Sequence, residues 1–144
     1  VEEVARILGL DVGTKTIGVA VSDPLGLTAQ PVETIRRVGK EADLAELRRL
    51  VALYNPERFV VGYPLSLSGS AGPQARFVEA FAEHLRTLEL PVEFIDERLT
   101  TKEAMNALLA TGMHRAKRKA VIDQQAAVLI LQSYLDRRRR RAAP

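Results

Sequence analysis

Three acidic residues far apart in the chain stand where the surrounding pattern leaves little room for charge: Asp11, Glu97 and Asp123. Asp11 ends a nearly continuous apolar run from Val4 to Leu10. Such a run is the pattern of a strand buried on both faces, and its carboxylate then emerges at the sheet's end, where open α/β sheets form their sites. A plain turn residue opening "DVGT" fits Asp11 as well. Glu97 follows the short strand pattern "VEFI" within "FIDERLTT". Alternation sets Val92, Phe94 and Asp96 on one side and Ile95 and Glu97 on the other, without saying which side faces a site. A solvated loop would also accommodate "DER". Asp123 shares a helical stripe with Ala126, Ala127, Ile130 and Tyr134, counted at about 100° per residue. A charge on that apolar stripe needs compensation. An N-cap role with the helix starting at Gln124, or an ion pair with Lys119, would supply it too.

If the three carboxylates converge, they cannot all stay ionised without a cation. The chain has no cysteine and two histidines, so thiolate and histidine clusters are excluded and any metal is held by oxygen. Mg²⁺ or Mn²⁺ suits that donor set, and two such ions about 3.5–4 Å apart can support phosphodiester hydrolysis.

The charge distribution points to a polyanion. The net charge is +3, but residues 1–97 carry 10 basic and 15 acidic side chains, whereas residues 98–144 carry 11 basic and 3 acidic. Clustered Lys and Arg displace counterions from phosphate backbones, although a solvated basic surface would read the same. The candidate nucleic-acid contacts are Lys15, Ser70, Arg98, Arg115, Lys117, Arg118 and Lys119. The loop "LSLSGSAG" before Pro73 leaves helix N–H groups open to a phosphate, or is simply a flexible connection. Three tyrosines, four phenylalanines and no tryptophan offer little base stacking, so recognition should lean on backbone and shape.

The elements that must position these residues follow from periodicity. "TIGVAVSD" alternates and should hairpin back on the first strand. A weaker third strand over Pro31–Arg37 begins with a proline, as edge strands do. Leu44, Leu47, Val51 and Tyr54 predict a helix over about 41–54, stopped by Asn55-Pro56. "RFVVGYP" is a buried strand. The next helix starts at Pro73, carries Phe77, Val78, Phe81, Leu85 and Leu88, and is closed by Pro91. After "VEFI", Thr100 and Glu103 have capping-box spacing for a helix to about Ala110. The basic loop "MHRAKRK" precedes a last helix from about Val121 to Leu135, and five arginines, Arg137 to Arg141, follow. The expected fold is α/β, a five-stranded mixed sheet whose first three strands are antiparallel, with helices on both faces. Residues 1–136 form one domain and 137–144 a basic tail, disordered until it meets phosphate.

Four stretches, "ILGLDVGTKTIGVAVSD", "VVGYPLSLSGSAG", "DERLTT" and "KAVIDQQAAVLILQSYL", resemble in order and spacing the signature of the YqgF/RuvX family, from about Ile7 to Leu135. The resemblance implies a ribonuclease H-like fold, with the family's acidic positions on Asp11, Glu97 and Asp123. It also implies a bacterial cytoplasmic nuclease that matures the 5′ end of 16S ribosomal RNA within pre-ribosomal particles, and a likeness to Holliday-junction resolvases. Tyr63 departs from the family pattern, where a leucine is expected between Gly62 and Pro64.

Other functions compete. An actin-like ATPase also carries Asp-x-Gly-Thr after a strand, but needs two such domains to enclose a nucleotide. A DNA junction resolvase would use the same acids as a dimer, whereas single-strand processing needs one copy; no large apolar interface is marked, which favours a monomer. A non-catalytic RNA-binding assembly factor would use the basic lobe and keep the acids for structure. No apolar run reaches the ~20 residues of a membrane span, and the acidic start is unlike a signal peptide, so the chain reads as cytoplasmic.

Overall fold

The structure, a computed structural model, describes residues 4–64, 71–96 and 115–142, with side chains omitted at 115–123 and 142. Five strands form one sheet: β1 (Arg6–Val12), β2 (Thr16–Ser22), β3 (Ala29–Arg36), β4 (Pro56–Tyr63) and β5 (Val92–Asp96), in the order β3-β2-β1-β4-β5. The pairs β1·β2 and β2·β3 are antiparallel, and β1·β4 and β4·β5 are parallel. This is the mixed sheet expected from an early hairpin followed by strand–helix alternation. Pro31 lies inside β3 at a register shift, opposite Ala20. It is tolerated because β3 is an edge strand and the bulge releases it from the ladder.

Helices α1 (Lys40–Tyr54) and α2 (Pro73–Leu85) cover one face. Leu44, Leu47 and Leu50 of α1 and Val78, Phe81 and Leu85 of α2 join Leu8, Leu10, Phe59 and Val61 in a single core cluster. Asn55, left-handed at φ 48°, ends α1 immediately before Pro56. Pro73 opens α2, and the chain leaves it through a 3₁₀ turn, Arg86–Leu88, earlier than Pro91 alone predicts. The helix expected over 100–110 lies outside the described residues.

The other face is covered by α3 (Arg115–Ala142), which at 28 residues spans about 42 Å. Sequence periodicity confines this helix to about 121–135, and the structure extends it at both ends. Part of the basic loop and the arginine run, Arg137–Arg141, are helical. The reason is intrinsic: Arg, Lys and Ala are good helix formers, and the last-turn arginines complement the helix dipole. Among the described residues no helix is long and apolar enough to cross a membrane.

Ala127, Ile130, Leu131 and Leu135 of α3 bury themselves against Ile7, Ala20, Val60 and Ile95. The approach is closest at Gly9, where an added Cβ would stand 2.7 Å from Leu131 Cβ and 3.3 Å from the Ala127 carbonyl oxygen. Gln132 fastens the helix to the β2–β3 connection, accepting from Ala29 N at 2.9 Å and donating to Leu27 O at 3.0 Å. That connection is closed by the Asp23 carboxylate, which accepts from Leu27 N at 2.7 Å and Thr28 N at 2.9 Å.

Two outcomes are expected. Gly9→Ala must push α3 off the sheet and should destabilise the fold by about 1–3 kcal/mol in denaturant unfolding; an unchanged midpoint contradicts the packing. The backbone hydrogen bond from Thr28, helped by that from Leu27, holds the Asp23 carboxyl below its ordinary value of 3.8. Its stabilisation is present above that value and fades as pH falls through the lower folded value. The stability profiles of wild type and Asp23→Asn should therefore differ near neutrality and converge in acid.

Candidate active site

Asp11 is not a turn residue. It is the penultimate residue of β1, paired with Gly18 of β2 and half-buried. Strand parity assigns its face. Leu8, Leu10 and Val12 belong to the core under α1 and α2, whereas Ile7 belongs to the core under α3 and Gly9 meets α3 directly. Successive side chains alternate, so Asp11 shares the α3 face with Ile7 and Gly9. The same register settles the side taken by the end of β5. Gly62 pairs with Ile95 and Tyr63 with Asp96. Ile95 packs in the α3-side core, so Asp96 belongs with Val92 on the opposite face from Asp11. Glu97 lies outside the described residues.

The course of α3 follows from its contacts. Leu131 and Ala127 sit over Gly9 of β1, Tyr134 reaches Arg58 near the start of β4, and Arg138 donates to Glu57 at 3.3 Å. The helix therefore runs antiparallel to β1 and β4, with its N-terminal half toward their carboxyl ends. Position 123 is eight residues inside α3, which removes the N-cap reading of Asp123. It is one turn beyond Ala127, an advance of about 6 Å. Asp11 is two residues beyond Gly9, an advance of about 6.6 Å toward the same end of the sheet.

The hairpin after Asp11 is held by a group that periodicity gave no reason to single out. Arg37 donates from a terminal guanidinium nitrogen to Gly13 O at 2.8 Å, and from Nε to Asp43 Oδ2 at 3.1 Å. Its guanidinium lies over the rings of Phe77 and Phe81, at 5.3 and 4.9 Å from their centroids. The Arg37 N–H reaches Lys15 O at 2.9 Å, and Gly13 N reaches Thr16 O at 2.9 Å. Asp43 is 1% exposed and also accepts from Val38 N at 3.1 Å. One side chain thus ties the β1–β2 turn to α1 and α2. A charged pair at "RR" and "EAD" looks like ordinary surface in the sequence, and only the burial of Asp43 distinguishes it.

Lys15 is exposed in the β1–β2 hairpin, close in sequence to Asp11. Arg115, Lys117, Arg118 and Lys119 fall in the first turns of α3, at the end of the helix that also holds position 123. Ser70 and Arg98 lie outside the described residues. Among the described residues no three Asp, Glu or His side chains gather closely enough to hold a metal ion. Glu97 and the Asp123 side chain are not among them. His84 belongs to α2 on the opposite face, and His114 lies outside the described residues.

A profile described as "RuvX: Holliday junction resolvase" matches residues 5–137. The chain belongs to the RuvX family. Its relatives in this family include a protein of Moorella thermoacetica named "Putative pre-16S rRNA nuclease", 59% identical over 92% of this chain and 95% of its own length. A protein of the same name in Heliobacterium modesticaldum is 52% identical over 96% of this chain and 93% of its own. Among solved structures, Thermus thermophilus RuvC bound to a Holliday-junction substrate superposes with a TM-score of 0.59 at 13% identity, covering 94% of this chain and 96% of that one. Fowlpox virus resolvase with junction DNA gives 0.53 at 12%, covering 92% and 97%. The fold of this RuvX-family chain is therefore ribonuclease H-like, as the sequence resemblance implied.

Removing the Arg37 guanidinium strands a buried carboxylate. Arg37→Ala should cost about 3–5 kcal/mol of stability, and the Arg37→Ala/Asp43→Ala pair less than the sum of the two single changes. A double-mutant cycle by urea unfolding measures this; strict additivity would show that the two side chains do not act together.

Proposed function

We propose that this RuvX-family chain is a metal-dependent nuclease that hydrolyses a phosphodiester bond in precursor 16S ribosomal RNA, at its 5′ end, with Asp11, Glu97 and Asp123 as the metal-holding carboxylates. The observation that carries the reading is the antiparallel course of α3 against β1. Asp11 stands at the carboxyl end of its strand on the α3 face, and the helix advances toward that same end through position 123. Continued alternation from Ile95 would bring Glu97 to the same side and leave Asp96 on the other. The high identity to proteins named as pre-16S rRNA nucleases supports the choice of RNA.

The donor set fits a hard divalent ion, since carboxylate oxygens are the ligands Mg²⁺ and Mn²⁺ prefer. Such an ion, when bound, would polarise the phosphoryl oxygens and lower the pKa of a water. The chain's own contribution is positional. The paired strand backbone fixes Asp11, the Arg37 clamp holds the turn that follows it, and packing of α3 at Gly9 sets the depth at which the helix meets the sheet. Lys15, Ser70, Arg98, Arg115, Lys117, Arg118 and Lys119 would hold the substrate's phosphates, working as a monomer in the cytoplasm.

A second reading, cleavage of four-way DNA junctions, is favoured by the description of the family profile. One experiment separates them: a precursor rRNA fragment, a generic single-stranded RNA and a DNA junction, each with Mg²⁺, Mn²⁺ or chelator. We expect metal-dependent cutting of the precursor fragment. Asp11→Asn should reduce it by more than about 100-fold, beyond the 10–100-fold typical of a residue that only supports a ligand, and leave RNA binding in place. Wild type that cuts no substrate with either metal would end the enzymatic reading.

A further inference from the structure

The basic C-terminal region, one cluster in the sequence, is divided by the fold. Residues 115–119 lie at the acid end of α3, whereas Arg137–Arg141 lie at the other end, where Arg138 meets Glu57 at the start of β4. From position 123 to Arg137 and Arg141 is about 21 to 27 Å along the helix. Tyr134, Arg137, Arg138 and Arg141 recur at i, i+3, i+4 and i+7, so they form one stripe. That stripe and Glu93, Phe94 and Ile95 of the outer strand β5 line a groove of about 110 Å³.

The chemistry of the groove is lopsided. Glu93 is engaged by Arg58, and Glu57 by both Arg58 and Arg138. Asp136 is engaged by Arg139. Arg137 and Arg141 are exposed and form no ion pair among the described residues. Five guanidiniums thus stand against three carboxylates, and the two without an ion pair, Arg137 and Arg141, line the groove. One aromatic ring borders it: Tyr134 is half-buried, with its hydroxyl 3.4 Å from Arg58, whereas the ring of Phe94 stands on the opposite face of the sheet, 5.0 Å from that of Tyr63. Exposed guanidiniums beside such a ring are a combination that binds a single strand, with phosphates on the guanidiniums and a base on the ring.

We propose that the groove between α3 and β5 is a second binding site for single-stranded RNA, separate from the acid end and engaged by the part of the substrate remote from the cleaved bond. The inference rests on the nuclease reading for its choice of RNA, but its chemistry requires only a single polyanionic strand. A stacked strand rises about 3.4 Å per nucleotide, so the groove lies some six to eight nucleotides from the acid end. Only a substrate longer than this reaches both.

The test is binding without catalysis. Fluorescence anisotropy in chelator, with labelled RNA of about 4 and about 16 nucleotides, brackets the sites that single-strand grooves occupy. The wild-type protein should bind the long RNA more tightly, and the excess should shrink about tenfold in Arg137→Ala/Arg141→Ala. Loss of two phosphate contacts should also flatten the slope of log affinity against log salt by about 1.4 for the long RNA. Arginine and alanine both favour helix, so the variant should fold, and circular dichroism checks this. An unchanged long-RNA affinity and slope overturns the proposal. So does an equal loss for both lengths, which would place the arginines at the same subsite as the short strand. Binding of the wild type, but not the variant, to phosphatidylserine vesicles with no change toward RNA would overturn it in favour of a membrane surface. Because the binding assay contains no metal, it is independent of cleavage: a protein that cuts nothing with Mg²⁺ or Mn²⁺ but binds by this length rule refutes the nuclease and leaves the groove standing.

Discussion

The contact between α3 and Gly9 governs the geometry of the rest of the molecule. The missing side chain lets the helix come so close that a Cβ would strike Leu131 at 2.7 Å. A helix that settles against one strand at such short range has little freedom to slide or tilt, because interiors are packed nearly as densely as crystals. Ile130, Leu131 and Leu135 then fill the space over Ile7, Val60 and Ile95, and Gln132 bonds the helix to the β2–β3 connection. Every residue on α3 inherits its position from this contact. Position 123 is held toward the carboxyl ends of β1 and β4, and the arginines toward their amino ends.

The two faces of the sheet have different tasks. The face under α1 and α2 is the larger apolar core and carries the Arg37–Asp43 pair, which reaches around the end of β1 to hold its turn. The pair is nearly buried on the carboxylate side, and the guanidinium lies over two aromatic rings, an arrangement suited to Arg because its planar charge is weakly hydrated. The face under α3 carries Asp11. A carboxylate half-buried at the end of a strand whose neighbours are buried is tolerable because the sheet ends there and the group keeps access to solvent. Rigid support from one face therefore serves the chemistry proposed on the other.

Charge is arranged along α3 as well as across the sheet. A sequence count shows one positive lobe after residue 97. The helix spreads that lobe over its length, with basic residues at both ends and an apolar middle that packs against the strands. A polyanion lying along the helix would be held at two places and left free between them. Such an arrangement favours long substrates over short ones through backbone contacts, with little demand on base identity.

Local patterning was sufficient for the hairpin, the edge position of β3, the start of α2 at Pro73 and the end of α1 at Asn55, because each depends on alternation, a proline or a left-handed residue within a few positions. It was insufficient for the ends of α3, where the apolar stripe stops but helix-forming residues continue, and for Asp11, whose strand extends two residues past the apolar run. The acids themselves were visible as charges out of place. Which face of the sheet Asp11 occupies was not, since alternation has two equivalent phases and only the packing of α3 against Ile7 and Gly9 chooses between them. The Arg37–Asp43 clamp and the groove beside β5 were hidden for the same reason: each joins side chains from separate elements, and their meeting is fixed by register and helix direction, which no single segment encodes.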